Sequence, residues 1–274
     1  MTASVYWQAF GQDPAQGSDL VLIHGWGMNG AVWQHLLPQL EAQYRVHVVD
    51  MPGYGYSAGV KVQSVEDMAQ ALLAGAPARA VWLGWSLGGL IAKQAALQAP
   101  ERVSKLITVA SSPRFAAMDT WRGIRPQVLS DFRQQLSDNF SLTIERFMAL
   151  QAMGSPSARQ DIRLLKQAVL SRPQPSPAAL AAGLEMLAEV DLRRQLTQIQ
   201  QPWLRLYGRL DGLVPVKVAS DMDRLAPQSE KVVFPQASHA PFISHPQDFL
   251  QSLQVFIEGD APAALATEST EILK

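Results

Sequence analysis

A serine with a glycine two residues to either side, Gly84-Trp85-Ser86-Leu87-Gly88, separates an apolar run at 80–83 from a helix-forming stretch at 90–98. That context presents a serine hydroxyl on a sharp strand-to-helix turn, ahead of a helix N-terminus that favours negative charge. A serine hydroxyl is a poor nucleophile until a histidine takes its proton and a carboxylate fixes the tautomer of that histidine. Both partners follow in chain order. Residues 202–208 read as a short buried strand running into Arg209-Leu210-Asp211-Gly212, and residues 231–234 read as another that delivers Ala237-Ser238-His239-Ala240. Asp211 and His239 thus fall just past strand C-termini, on the edge where open α/β sheets build their sites. The chemistry expected of Ser86, Asp211 and His239 is acyl transfer through a covalent serine intermediate.

Each assignment has a plainer competitor. Asp211 could serve only as the first residue of an Asp-Gly turn. Four other histidines are available: His24 belongs to a glycine-rich loop, His35 follows Trp33 on a helical stretch, His47 lies mid-strand, and His245 precedes a proline. Only His239 follows a late strand after the acid. Asp50 also ends a strand, but it precedes Ser86 and opens a Met-Pro-Gly-Tyr-Gly-Tyr-Ser turn, so a structural role is assigned to it.

An oxyanion needs two preorganised backbone donors. One is expected from Leu87, the residue after the nucleophile. The other is expected from the loop that follows the apolar strand at 20–23, His24-Gly25-Trp26-Gly27, most simply from Trp26. The indole of Trp26 then walls an acyl pocket, and His24 holds the loop.

These pieces must be positioned by a scaffold. Apolar runs near 4–10, 20–23, 45–50, 80–84, 105–110, 202–207 and 231–235 alternate with helical periods, which indicates a mainly parallel sheet with helices on both faces. The alternation breaks after Val109-Ala110-Ser111-Ser112-Pro113. Val128, Phe132, Leu136 and Phe140 then recur every four residues, while Ile144, Phe147, Met148 and Gln151 share another helical face. Residues 114–190 are therefore expected to form an all-helical cap over a core of residues 1–113 and 191–257. The alternative is that these helices are extra core. Residues 258–274, small and polar, read as a loosely ordered tail.

Composition narrows the class. The chain has 274 residues, 47% of them hydrophobic, a formal charge of −1 and no cysteine. One α/β domain of this size is ordinary. Disulfides, thiolate metal sites and a cysteine nucleophile are excluded, and a reducing cytoplasm is the expected location. Neither nucleic acid nor a membrane surface is an expected partner of so balanced a charge. The N-terminus lacks the pattern of a signal peptide, and no apolar run approaches the ~20 residues of a membrane span. Within the cap, Arg159, Arg163 and Lys166 fall on one helical face, which suits either an acidic partner or simple solvation.

The motifs His-Gly-Trp-Gly, Asp-Met-Pro-Gly-Tyr-Gly-Tyr-Ser and Gly-Trp-Ser-Leu-Gly-Gly, with the late Asp211 and His239, resemble the α/β-hydrolase superfamily over residues 4–257. Longer phrases are more specific. His24-Gly-Trp-Gly-Met-Asn, Val109-Ala-Ser-Ser-Pro, Glu145-Arg-Phe-Met-Ala-Leu-Gln, Leu206-Tyr-Gly-Arg-Leu-Asp-Gly-Leu-Val-Pro and His239-Ala-Pro-Phe-Ile-Ser-His-Pro resemble the pimeloyl-[acyl-carrier protein] methyl ester esterases of biotin synthesis. The resemblance implies Ser86 as nucleophile, Asp211 as orienter and His239 as base. It implies acyl contacts from Trp26, Leu87 and the cap segment Phe147, Met148, Ala149, Leu150 and Gln151. It also implies that Arg146, Arg159 and Arg163 hold the acidic carrier protein. Leu142 departs from the pattern, standing where a further cap arginine is found in the best-known member of the family, and the tail after Glu258 is unlike it.

The implied reaction is hydrolysis of the methyl ester at the far end of a carrier-bound pimeloyl chain, releasing methanol, by a cytoplasmic monomer with no metal or organic cofactor. A general short-chain carboxylesterase acting on small esters uses the same triad, as do carbon–carbon bond hydrolases. A haloalkane dehalogenase or epoxide hydrolase would need Asp at position 86. From another class, the same fold could serve as a non-catalytic ligand-binding protein.

Overall fold

A computed structural model describes residues 4–11, 18–61 and 63–259 of the chain. Seven strands form one sheet in the order β1-β3-β2-β4-β5-β6-β7, comprising β1 (Tyr6–Phe10), β2 (Asp19–Ile23), β3 (Arg45–Asp50), β4 (Ala80–Trp85), β5 (Val103–Val109), β6 (Trp203–Gly208) and β7 (Glu230–Phe234). Only β1 runs antiparallel, against β3; every other pairing is parallel. Each apolar run of the sequence became a strand. Six-residue β4 and β6 are buried at every position, as central parallel strands covered on both faces must be.

The helices are α1 (Leu37–Leu40), α2 (Val65–Gly75), α3 (Leu87–Gln98), α4 (Pro126–Asp138), α5 (Phe140–Ala152), α6 (Ala158–Leu170), α7 (Pro177–Glu189), α8 (Lys217–Leu225), α9 (Pro241–Ser244) and α10 (Pro246–Glu258). Helix α3 packs on α2, β4 and β5, and is buried from Leu87 through Ala96. Among the described residues, no helix is long and apolar enough to cross a membrane.

Helices α4 to α7 are inserted between β5 and β6. Helix begins later than the expectation of an all-helical segment from residue 114. Residues 114–125 instead turn back on themselves through bridges Ala116↔Ile124 and Met118↔Trp121. The physical reason is Pro126: its ring drives Arg125 into an extended conformation (φ −58°, ψ 133°) and is favoured at a first helical position. The insertion is tied to the sheet by the Arg172 guanidinium, which donates to Asp50 Oδ1 at 2.8 Å and lies over the rings of Tyr6 and Tyr56. Asn29 adds a donor to the Ala168 carbonyl at 3.0 Å, and the Ser176 N–H donates to the Gly53 carbonyl at 2.9 Å. The proposed tail boundary at 258 falls within α10, and residues 260–274 lie outside the described residues.

Candidate active site

Ser86 joins the end of β4 to the start of α3 with φ 56° and ψ −118°, a region that non-glycine residues enter only at a cost of order 1–3 kcal/mol. The turn is held by its own backbone, the Ser86 N–H donating to the Val109 carbonyl at 2.9 Å and the Gly89 N–H to the Ser86 carbonyl at 3.0 Å. Its glycines are required by close approach. A Cβ on Gly84 would collide with the Gly88 carbonyl, and a Cβ on Gly88 would collide with the carbonyls of Ile23 and His24. The second contact brings the turn against the loop that carries Trp26. The Ser86 side chain also lies beside Gly25 of that loop, where an added Cβ would meet Ser86 Cβ at 3.3 Å.

Asp211, in the loop after β6, and His239, in the loop after β7, are brought together. His239 Nδ1 lies 2.7 Å from Asp211 Oδ2, and both side chains are essentially without solvent exposure. The other carboxylate oxygen accepts the N–H groups of Leu213 at 2.8 Å and Val214 at 3.0 Å. Asp211 therefore fills both oxygens with donors, as an ionised carboxylate does. It leaves Nδ1 of His239 as the protonated nitrogen. Nε2 is then a lone-pair acceptor, and it is buried with no hydrogen-bond partner among the described residues. A bond from Ser86 Oγ to Nε2 is not formed in this conformation. Such bonds often lengthen in the absence of substrate.

The His239 loop is fixed from two sides. Trp85 Nε1 donates to the His239 carbonyl at 2.8 Å, and the His239 N–H donates to the Gln151 carbonyl at 3.0 Å. Ser238 Oγ adds a bond to the Met153 carbonyl at 2.9 Å. The C-terminal end of α5 is thus in direct contact with the histidine loop.

Trp26 is buried, donates from Nε1 to the Leu180 carbonyl at 2.9 Å, and meets Phe147 edge-on at 4.6 Å between centroids. Among the α5 residues, Phe147, Met148 and Gln151 are buried, with Gln151 Oε1 left without a partner. Ala149 is exposed, and Leu150 is half-buried. These two turn instead to an open cleft of about 390 Å³ between α4 and α5 that Arg146 and Met153 also line. Arg146 donates to Gln135 Oε1, while Arg159 and Arg163 are exposed on α6 and make no bond among the described residues. Lys166, on the same face, is paired with Glu145 at 2.9 Å.

The competing histidines are engaged elsewhere. His24 accepts the Met51 N–H on Nε2 at 2.9 Å and turns Nδ1 to the Gly25 carbonyl at 2.8 Å. Burial, opposed by the Asp50 charge, lowers its pKa to about 4 and keeps it neutral. His47 pairs with Asp19, His35 with the Phe242 carbonyl, and His245 with Ser244. Asp50 is saturated by Gly30 N–H, Tyr56 N–H and Arg172. No group of three or more His, Asp or Glu among the described residues could hold a metal ion.

Two participants escaped the sequence. Ser111 and Lys93 form a buried chain leading to the Ser86 carbonyl. The available signal was a lysine inside the otherwise apolar face of α3, a pattern that more often marks a side chain reaching out to solvent.

The model of the alpha/beta hydrolase fold matches residues 20–246. The pimeloyl-[acyl-carrier protein] methyl ester esterase of Photobacterium profundum is 70% identical over 258 residues, covering 94% of this chain and all of that one. The protein of the same name from Vibrio cholerae is 62% identical over 93% of this chain and 99% of its own. Among solved structures, an esterase from Exiguobacterium antarcticum superposes with a TM-score of 0.80 at 23% identity, covering 93% of this chain and 95% of that one. An enol-lactonase from Burkholderia xenovorans superposes at 0.81 with 18% identity, covering 93% and 96%. At those identities the solved structures speak for the fold alone. Sheet order, the strained turn at Ser86 and near-full-length identity together make this chain an α/β hydrolase belonging to the family of the pimeloyl-[acyl-carrier protein] methyl ester esterases.

Proposed function

We propose that the protein hydrolyses the methyl ester of pimeloyl-[acyl-carrier protein], with Ser86 as nucleophile, His239 as general base and acid, and Asp211 as the group that orients His239. The observation that carries the catalytic reading is the Asp211–His239 pair at 2.7 Å with a buried, unpartnered Nε2, beside the strained turn that presents Ser86. The substrate follows the relatives named above, whose match spans the inserted helices as well as the core.

The steps balance. Ser86 Oγ attacks the ester carbonyl while Nε2 of His239 takes the hydroxyl proton. The N–H groups of Leu87 and Trp26 receive the developing oxyanion, for which the first residue of α3 has a free donor. The tetrahedral intermediate expels methoxide, which takes the proton from His239 and leaves as methanol. Water, deprotonated by the same Nε2, attacks the acyl-enzyme and frees the pimeloyl carboxylate with Ser86 restored.

Phe147, Met148 and the Trp26 indole supply apolar surface for the methylene chain, worth about 0.8 kcal/mol for each CH₂ fully buried. Ser86 is 3% exposed and His239 is fully buried, so residues 114–190 act as a cap that must yield for an acyl chain to reach them. Arg159 and Arg163, exposed and unpaired among the described residues, with Arg146 nearby in sequence on α5, form the surface we assign to the acidic carrier protein. Such a substrate places the reaction in the cytoplasm. Comparing the carrier-bound methyl ester with free dimethyl pimelate tests the assignment. Higher kcat/KM on the carrier-bound ester is expected; equal values would reduce the protein to a general carboxylesterase.

A further inference from the structure

Lys93 has no solvent exposure, and nothing in the reaction above uses it. Its Nζ lies 2.9 Å from Ser111 Oγ and 3.4 Å from the Ser112 carbonyl. Ser111 Oγ lies 2.9 Å from the Ser86 carbonyl. The direction of this chain is forced. A carbonyl only accepts, so Ser111 gives its single proton to Ser86 and turns a lone pair to Lys93, which must donate.

The Ser86 carbonyl and the Leu87 N–H are two ends of one planar peptide group. A donor on the carbonyl polarises that group and makes its N–H a stronger donor, as along any cooperative hydrogen-bond chain. We infer that Lys93, acting through Ser111, is a positioning residue that fixes and polarises the Ser86–Leu87 peptide for oxyanion binding. The inference rests on the reading of Ser86 as nucleophile and Leu87 N–H as oxyanion donor.

The local backbone is shaped for this contact. Ala110, immediately before Ser111, has φ 45°, so adjacent strands β4 and β5 are each followed at once by a strained residue, Ser86 and Ala110. Gly89 leaves the space: a Cβ there would sit 2.5 Å from Ser111 Cβ and Oγ. Among the described residues, no carboxylate offsets the amine. The elements packed on α3 carry Asp19, Glu66, Asp67, Glu101, Arg102 and Lys105. Asp19 is bound to His47, Arg102 to carbonyls of residues 73–77, and Lys105 to carbonyls of residues 256–259. Glu66, Asp67 and Glu101 are exposed. Burial alone therefore lowers the Lys93 pKa, to about 7. Packing would be served better by an apolar side chain of the same length, so this amine costs stability at the place where it serves the turn.

The test is a cycle of Lys93→Met, Ser111→Ala and the double variant, assayed on a small free ester beside Ser86→Ala. Each single variant is expected to lower kcat about tenfold with KM within about twofold, the pattern of a lost transition-state interaction. The double variant should lose no more than the worse single one, because one chain has been cut twice. Ser111→Ala alone decides the matter should Lys93→Met fail to fold. Wild-type kcat in the single variants, or losses that multiply in the double, would overturn the inference while a dead Ser86→Ala leaves the proposed mechanism standing. Activity in Ser86→Ala would instead defeat the mechanism itself.

Discussion

The backbone N–H of His239 donates to the carbonyl of Gln151 at 3.0 Å, so the loop carrying the imidazole hangs from the last turn of an inserted helix. Ser238 repeats the tie one residue earlier, through Oγ to the Met153 carbonyl at 2.9 Å. Two hydrogen bonds thus couple the inserted helices to the His239 loop. Ser238→Ala removes one of the two ties, costing about 0.5–1.5 kcal/mol of stability. Its kcat is expected to fall a few-fold with KM nearly constant, measured by steady-state kinetics and thermal unfolding. A variant unchanged in both would mean that the Ser238 bond adds nothing to the hold of Gln151 and Trp85 on the histidine loop.

Asp211→Asn keeps the shape of the Asp211 side chain but reverses the tautomer it asks of His239, by offering an N–H where Nδ1 needs an acceptor. The expected loss in kcat is about 10³–10⁴-fold, with the fold retained and KM little altered. Steady-state kinetics on any turned-over ester checks this. A loss below tenfold would mean that the 2.7 Å pair is not used in catalysis.

How much of this was open to the sequence depends on range. The seven strands were legible because each is a short apolar run, and the turn at Ser86 because strand, Gly-x-Ser-x-Gly and helix are contiguous. Chain order pairs Asp211 with His239 from the sequence, and the fold brings the two side chains together across 28 positions. What escaped depended on tertiary approach. The exposure of Ala149 beside buried Met148 follows from how α5 lies against α4, which periodicity does not specify. The Arg172–Asp50 tie spans 122 residues, and the Lys93–Ser111 contact joins a helix to a strand end. Nothing local in residues 114–125 marks a bridged turn, although Pro126 does mark the extended conformation of Arg125.

Arg159 and Arg163 lie exposed on α6 without partners among the described residues. Arg159→Glu with Arg163→Glu is expected to lower kcat/KM for the carrier-bound ester about tenfold or more, an effect that weakens as salt is raised. Hydrolysis of a small free ester should stay within about twofold. Equal losses on both substrates would make the arginines structural.

Stability should carry the mark of Lys93 in its pH dependence. The folded-state pKa, about 7, lies below the unfolded value, so the folded protein binds fewer protons than the unfolded chain between pH 7 and pH 10.5. The penalty for burying the amine is fully present below pH 7 and fades as pH rises. Lys93→Met should therefore unfold at a higher temperature than the wild type at pH 6–7. That gap should narrow toward pH 9, at about 1.4 kcal/mol per pH unit at most. A gap independent of pH would show that Lys93 is not a buried titrating amine.

Mass spectrometry of the carrier protein shows whether Ser86 demethylates a carrier-bound pimeloyl chain. Pimeloyl-carrier protein methyl ester is incubated with the purified enzyme, and with Ser86→Ala as its control. Loss of one methyl ester, a fall of about 14 Da in the carrier mass, is expected with the wild type and none with Ser86→Ala. An unchanged carrier mass beside rapid hydrolysis of small free esters would contradict the substrate, and demethylation by a folded Ser86→Ala would contradict the mechanism.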